Sequence, residues 1–178
     1  TTQSEMAVLN YSINETGEYT FVVSELSGNI AGLYGFSFQL LNDLSCAIPV
    51  DCNFDTTANI QYFGEMDAYR VELETGDSLR IHMNCEGGSP FEQIELFSSN
   101  GALLKKVITG DAELGVLTYP ISMTDTYLIL LSVPEGDGVD DYGLSVQVTN
   151  DYNCTTPLFC GIDTSGVISN IGEMDAYR

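Results

Sequence analysis

Gly64-Glu65-Met66-Asp67-Ala68-Tyr69-Arg70 recurs letter for letter as Gly172-Glu173-Met174-Asp175-Ala176-Tyr177-Arg178. The offset is 108 residues. At the same offset Cys46, Pro49 and Cys52 meet Cys154, Pro157 and Cys160. Val8-Leu9, Tyr11, Ile13, Tyr19, Tyr34-Gly35 and Asn42-Asp43 meet Val116-Leu117, Tyr119, Ile121, Tyr127, Tyr142-Gly143 and Asn150-Asp151, and no gap is needed. A period this long is the size of a domain, well beyond the 20 to 50 residues of solenoid repeats. The 178 residues therefore hold about 1.65 copies of one unit. The register makes residues 1–45 the C-terminal part of one repeat, 46–153 a complete repeat and 154–178 the N-terminal part of the next. The expectation is a piece of a longer tandem array.

Within the complete repeat the apolar period is two. Tyr69, Val71 and Leu73 alternate with polar neighbours, as do Leu79, Ile81, Met83 and Cys85, then Ile94 and Leu96, then Leu117, Tyr119 and Ile121. Tyr127, Ile129 and Leu131 continue the pattern, and Leu144, Val146 and Val148 close it. Thr75-Gly76-Asp77, Glu86-Gly87-Gly88-Ser89-Pro90, Ser99-Asn100-Gly101 and Pro134-Glu135-Gly136-Asp137-Gly138 separate the runs as turns, and Asn100-Gly101 is a strong hairpin signal. About eight short strands in some 100 residues predict an all-β fold: antiparallel, jelly-roll-like β-sandwich modules in tandem. On the same pattern residues 1–45 should form about three strands and 154–178 about two.

The string Gly64 to Val71, followed by Thr75-Gly76-Asp77-Ser78-Leu79, Ile94-Glu95-Leu96-Phe97 into Asn100-Gly101, Thr124-Asp125-Thr126-Tyr127 and Tyr142-Gly143-Leu144-Ser145-Val146, resembles the bacterial and archaeal pre-peptidase C-terminal (PPC) domain in order and spacing. The resemblance covers the complete repeat. It implies an accessory β-sandwich of secreted or surface proteins, without catalytic residues of its own, which in some members binds Ca²⁺ or a polymeric substrate.

Composition narrows the function. The chain is 44% apolar, with five basic residues against 26 acidic ones and a formal charge of -21. That apolar content excludes disorder, and no apolar stretch approaches the roughly 20 residues of a membrane helix. A phosphate backbone would be repelled, so nucleic acid is not an expected partner. With a single histidine and neither a Gly-x-Ser-x-Gly nor a His-Glu-x-x-His string, no nucleophile and base can be paired, and no enzyme is expected.

The Cys-x5-Cys pairs at the two joints suggest local disulfides, Cys46 with Cys52 and Cys154 with Cys160, each worth about 2 kcal/mol by loop entropy and suited to an exported protein. Pairing to Cys85, bonds between chains and free thiols are the alternatives. A zinc site from His82 and Cys85 with Cys46 and Cys52 is disfavoured, because on a strand His82 and Cys85 point to opposite faces. Asp137, Asp140 and Asp141 are the best cluster of hard oxygen ligands, a candidate Ca²⁺ site; no cofactor is otherwise required. Asn10, Asn14 and Asn153 head glycan acceptor sequons. The expected role is a non-enzymatic structural protein, extracellular or on the cell surface, in a layer, stalk or filament. Its partners would be adjacent repeats or other copies of itself, acting through strand completion. The alternative is an accessory module that attaches a secreted hydrolase to a polymer or carbohydrate.

Overall fold

The computed structural model describes residues 7–24, 34–62, 64–85, 92–109, 115–133, 140–161, 163–170 and 172–178. Nine strands form a two-sheet β-sandwich: β1 (Ile48–Val50), β2 (Phe54–Ile60), β3 (Met66–Leu73), β4 (Ser78–Cys85), β5 (Gln93–Phe97), β6 (Leu103–Ile108), β7 (Gly115–Pro120), β8 (Asp125–Ser132) and β9 (Asp140–Val148). One sheet runs β1-β3-β8-β5-β6 and the other β2-β9-β4-β7. Every pair is antiparallel except β1 with β3, where Ile48 sits opposite Tyr69 and Val50 opposite Val71 in parallel.

The alternation read from the sequence is the one the sandwich uses. Tyr69, Val71 and Leu73 of β3 face Leu79, Ile81 and Met83 of β4 and Leu144, Val146 and Val148 of β9 across one core, joined by Ile94, Leu96, Leu117, Ile129 and Leu131. Arg80 between them is exposed. Cys85 lies in that core while His82 takes the other face of β4, as strand geometry requires. The β5–β6 hairpin turns at Asn100-Gly101: Gly101 adopts φ +82°, and the Asn100 side chain accepts from the Ala102 N–H at 3.0 Å. The expected turns at 86–90 and 134–138 lie outside the described residues.

β8 departs from simple alternation, since Tyr127 to Ser132 are all buried. Its outer face is covered too. Leu41, Leu44 and Ala47, on the segment leading into β1, pack with Ala68, Phe97, Leu128 and Leu130 in a second, smaller cluster.

Three expectations are corrected. The structure bonds Cys52 to Cys154, 102 residues away, with Cα atoms 5.5 Å apart, and Cys46 and Cys160 are exposed, unbonded thiols. The extended β1 lies between Cys46 and Cys52 and holds them apart, whereas β2 and β9 are paired neighbours, which brings Cys52, just before β2, to Cys154, just after β9. Second, the described parts of 1–45 contain no strand, and among the described residues beyond 154 the pairing is limited to the isolated bridge Thr156 to Tyr177. By the repeat, residues 1–45 match β7 to β9, which form ladders against β2, β3, β4 and β5. Third, β1 adds a parallel strand to an otherwise antiparallel sandwich.

Candidate functional site at the joint between repeats

Among the described residues no catalytic cluster stands out, and the sequence and the structure converge on the recurring heptapeptide. The recurring heptapeptide is used residue by residue. Gly64 takes φ +75° and Gly172 φ +77°, a left-handed turn that only glycine adopts at little cost. Glu65 folds back so that its Oε2 accepts from the N–H groups of Gln61 and Tyr62, and Glu173 does the same for Ser169 and Asn170. Asp67 accepts from the Tyr142 hydroxyl, which lies 2.8 Å from that of Tyr69, so β3 and β9 are tied across the core. Burial pushes the Asp67 carboxyl above its ordinary range, opposed by the Tyr142 hydroxyl. It raises the Tyr69 and Tyr142 hydroxyls as well. Ala68 packs in the smaller cluster, and Arg70 donates to the Leu44 carbonyl at 3.0 Å.

The second heptapeptide docks on the outer face of the β2-β9-β4-β7 sheet. Gln147 Nε2 donates to the Met174 carbonyl at 2.9 Å, the Met174 N–H faces Asp55 Oδ1 at 3.4 Å, and His82 Nδ1 lies 2.9 Å from the Gly172 carbonyl. A carbonyl only accepts, so that ring nitrogen carries a proton. Ser145 and Gln147 face outward on β9, yet they are 0% and 1% exposed. A Cβ added at Gly172 would come within 3.1 Å of the Gly143 carbonyl, so this close approach also selects glycine.

The same joint occurs one period earlier. Gln39 Nε2 donates to the Met66 carbonyl at 3.3 Å, and Gly64 approaches Gly35. Parallel pairing of Ile48 with Tyr69 is repeated by Thr156 with Tyr177. Asp43 caps the 3-10 turn Leu44–Cys46 by accepting from Ser45, and Asp151 caps Tyr152–Cys154 by accepting from Asn153. Asn53 and Gly161, which follow Cys52 and Cys160, have φ of 82° and 84°. The two heptapeptides thus share the glutamine bond to the Met carbonyl, the parallel pairing and the capped 3-10 turn.

The remaining candidates are placed as follows. Asp137 lies outside the described residues; Asp140 and Asp141 open β9 opposite Ile60 and Asn59, and Asp141 is exposed. Cys52, Asp151 and Cys154 gather ligand-type atoms within 4.8 Å, but the two sulfurs are bonded to each other and so offer no thiolate. Asn10, Asn14 and Asn153 are all exposed. Glu92 was missed by sequence reasoning, because a lone glutamate beside an apolar run carries no signal. Its carboxylate is buried, accepts from the Cys85 N–H at 2.8 Å and has an unpartnered Oε2; burial pushes it above the ordinary range. A cleft of about 310 Å³ lined by Tyr34, Phe36, Tyr62 and Glu65 sits at the first joint. At the offset of 108 Tyr34 and Phe36 correspond to Tyr142 and Leu144, which are each 1% exposed.

No family model and no curated protein matches the chain. Among solved structures it is similar to the pre-peptidase C-terminal domain of a collagenase from Bacillus anthracis, at 14% identity over 57% of this chain and 94% of that one, with a TM-score of 0.46. PliG from Aeromonas hydrophila, a periplasmic inhibitor of g-type lysozyme, gives 13% identity over 57% and 97%, TM-score 0.41. CorA of Methylomicrobium album BG8, a surface-associated copper-binding protein, gives 10% over 57% and 98%, TM-score 0.43. Similarity this distant transfers no binding or activity to the chain.

Proposed function

We propose that the chain is a non-enzymatic segment of an extracellular array, in which β-sandwich repeats are stacked through a fixed joint to form a stalk, layer or filament. The observation that carries this is the repeated joint, with Gln39 on Met66 and Gln147 on Met174 one period apart. A flexible linker would need no such contacts; a joint specified by hydrogen bonds and glycine close approaches repeats one rotation and one rise per unit. The covalent bond Cys52–Cys154 fits an oxidising compartment. Among the described residues no helix is long and apolar enough to cross a membrane.

The exposed apolar side chains of residues 1–45 fit the same reading. Leu9, Tyr34, Phe36 and Phe38 are 77%, 72%, 57% and 51% exposed, and they correspond to Leu117, Tyr142, Leu144 and Val146, which are almost fully buried. Phe21, which corresponds to Ile129 of β8, already lies 5.3 Å from Phe38 between ring centroids, as facing residues of a sandwich core do. These aromatics are core positions awaiting their strands from an adjacent repeat or another copy, and not a platform for sugar rings.

Hydrogen exchange tests the reading. In the 178-residue chain the Met174 amide should be protected well above its intrinsic rate, and Gly172→Val, which drives a side chain into the Gly143 carbonyl, should release that protection while β4 and β9 stay protected. An unprotected Met174 in the unaltered chain would mean a free linker and would overturn the array.

A further inference from the structure

The observed disulfide closes one repeat: it joins the second cysteine of one joint, Cys52, to the first cysteine of the next, Cys154. Cys46 stands one period before Cys154, and Cys160 one period after Cys52. We propose that Cys160 bonds to a cysteine 102 residues further along and Cys46 to one 102 residues before it, so that every repeat is closed by its own bond and each joint carries one thiol that faces backward and one that faces forward. This rests on the tandem-array reading.

The local structure supports the assignment independently of the count. Cys46 ends a 3-10 turn capped by Asp43 through the Ser45 N–H at 3.0 Å; Cys154 ends one capped by Asp151 through the Asn153 N–H at 2.8 Å. Cys160 precedes a left-handed residue, Gly161, as Cys52 precedes Asn53. Both exposed thiols are thus held in the backbone setting of their bonded counterparts. The two cysteines of one joint never need to meet, and β1 keeps Cys46 and Cys52 apart.

Closure is an exchange reaction. The Cys160 thiolate attacks oxidised glutathione and expels one glutathione thiolate. The partner cysteine's thiolate then attacks the Cys160 sulfur of the mixed disulfide and expels the second. The two protons from the cysteines pass to the glutathione thiolates, and the electron pair reduces the glutathione disulfide.

The test compares the 178-residue chain with one in which residues 71–178 are repeated once after Arg178, marked in the added copy by Asn153→Gln and Cys160→Ser. Both are folded in a glutathione redox buffer, alkylated with iodoacetamide without denaturant, and digested with chymotrypsin and an aspartate-specific protease, which separate the cysteines of each joint. In the 178-residue chain Cys46 and Cys160 should be alkylated, and Cys52 recovered linked to Cys154. In the extended chain alkylation of Cys160 should fall at least tenfold, with Cys160 recovered on the mass-marked peptide, and Cys154→Ser in the added copy should restore it. Recovery of Cys46 linked to Cys52, or of Cys154 linked to Cys160, would overturn the proposal. So would an alkylated Cys160 in an extended chain whose added repeat unfolds cooperatively. Joint rigidity plays no part in this readout: correct pairing combined with an unprotected Met174 amide would sink the fixed joint and leave the tandem pairing standing.

Discussion

Replacing Tyr142 by Phe removes one oxygen from the centre of the sandwich, where it is shared by two residues of the heptapeptide. The hydroxyl is donated to the Asp67 carboxylate and lies 2.8 Å from the Tyr69 hydroxyl, on a side chain 1% exposed. A hydrogen bond to a charged group is worth about 1.5–3 kcal/mol and a neutral one about 1, and Tyr142→Phe leaves the buried Tyr69 and the half-buried Asp67 without it. The expected loss is about 3 kcal/mol at pH 7, a large share of the roughly 5–15 kcal/mol available to a domain. The loss should depend on pH. Burial raises the folded-state pKa of Asp67, so ionised Asp67 opposes folding, and stability falls as pH rises from the ordinary carboxylate value through the folded one. Without the Tyr142 hydroxyl the folded value rises further, so the deficit of the variant should be largest at pH 7 and shrink toward pH 4, where Asp67 takes up a proton. Urea unfolding of the unaltered chain, Tyr142→Phe, Asp67→Asn and the double variant at both pH values measures this, with a coupling energy of about 1–2 kcal/mol expected. A loss below about 0.5 kcal/mol at pH 7, or one equal at the two pH values, would refute the assigned network.

Cys52→Ser or Cys154→Ser should each cost about 4–5 kcal/mol by the loop-entropy argument for 102 bridged residues, while Cys46→Ser should cost less than about 0.5; thermal melts with and without reductant read both. Glu92→Gln keeps an acceptor for the Cys85 N–H and removes a buried charge, so the variant should be the more stable at pH 7. Because the folded pKa of Glu92 is raised, acidification stabilises the unaltered chain through that group, and the advantage of the variant should vanish by about pH 4; melts across this range check it. Gly115→Ala places a Cβ within 2.7 Å of the Met83 carbonyl and against Glu92, and an unfolding free energy lowered by about 2 kcal/mol in urea titration is expected.

The strands of the complete repeat were legible because each buries one face, and a period of two follows directly from that. β1, β2 and β6 were not read: β1 has only three residues, β2 fully buries only Ile60, and β6 is an edge strand whose Lys105-Lys106 pair hides the alternation. The disulfide was misread because spacing along the chain favours near neighbours, whereas pairing follows from which strands are adjacent, and the β2–β9 ladder spans the whole repeat. The joint was half legible. Letter-for-letter identity over seven residues signals that every one is constrained, but the docking of Met174 on Gln147 joins a side chain to a backbone carbonyl 27 residues away, where no periodicity shows it. The buried, outward-facing Gln147 looks in the sequence like any polar residue on the wet side of a strand.

The fixed joint is the central claim, and particle shape measures it most directly. Chains extended by one, two and three 108-residue repeats, imaged by negative-stain electron microscopy, should be straight rods whose length grows by the same increment with each added repeat. Beads at variable angles, with an end-to-end distance that grows as the square root of the number of repeats, would contradict it.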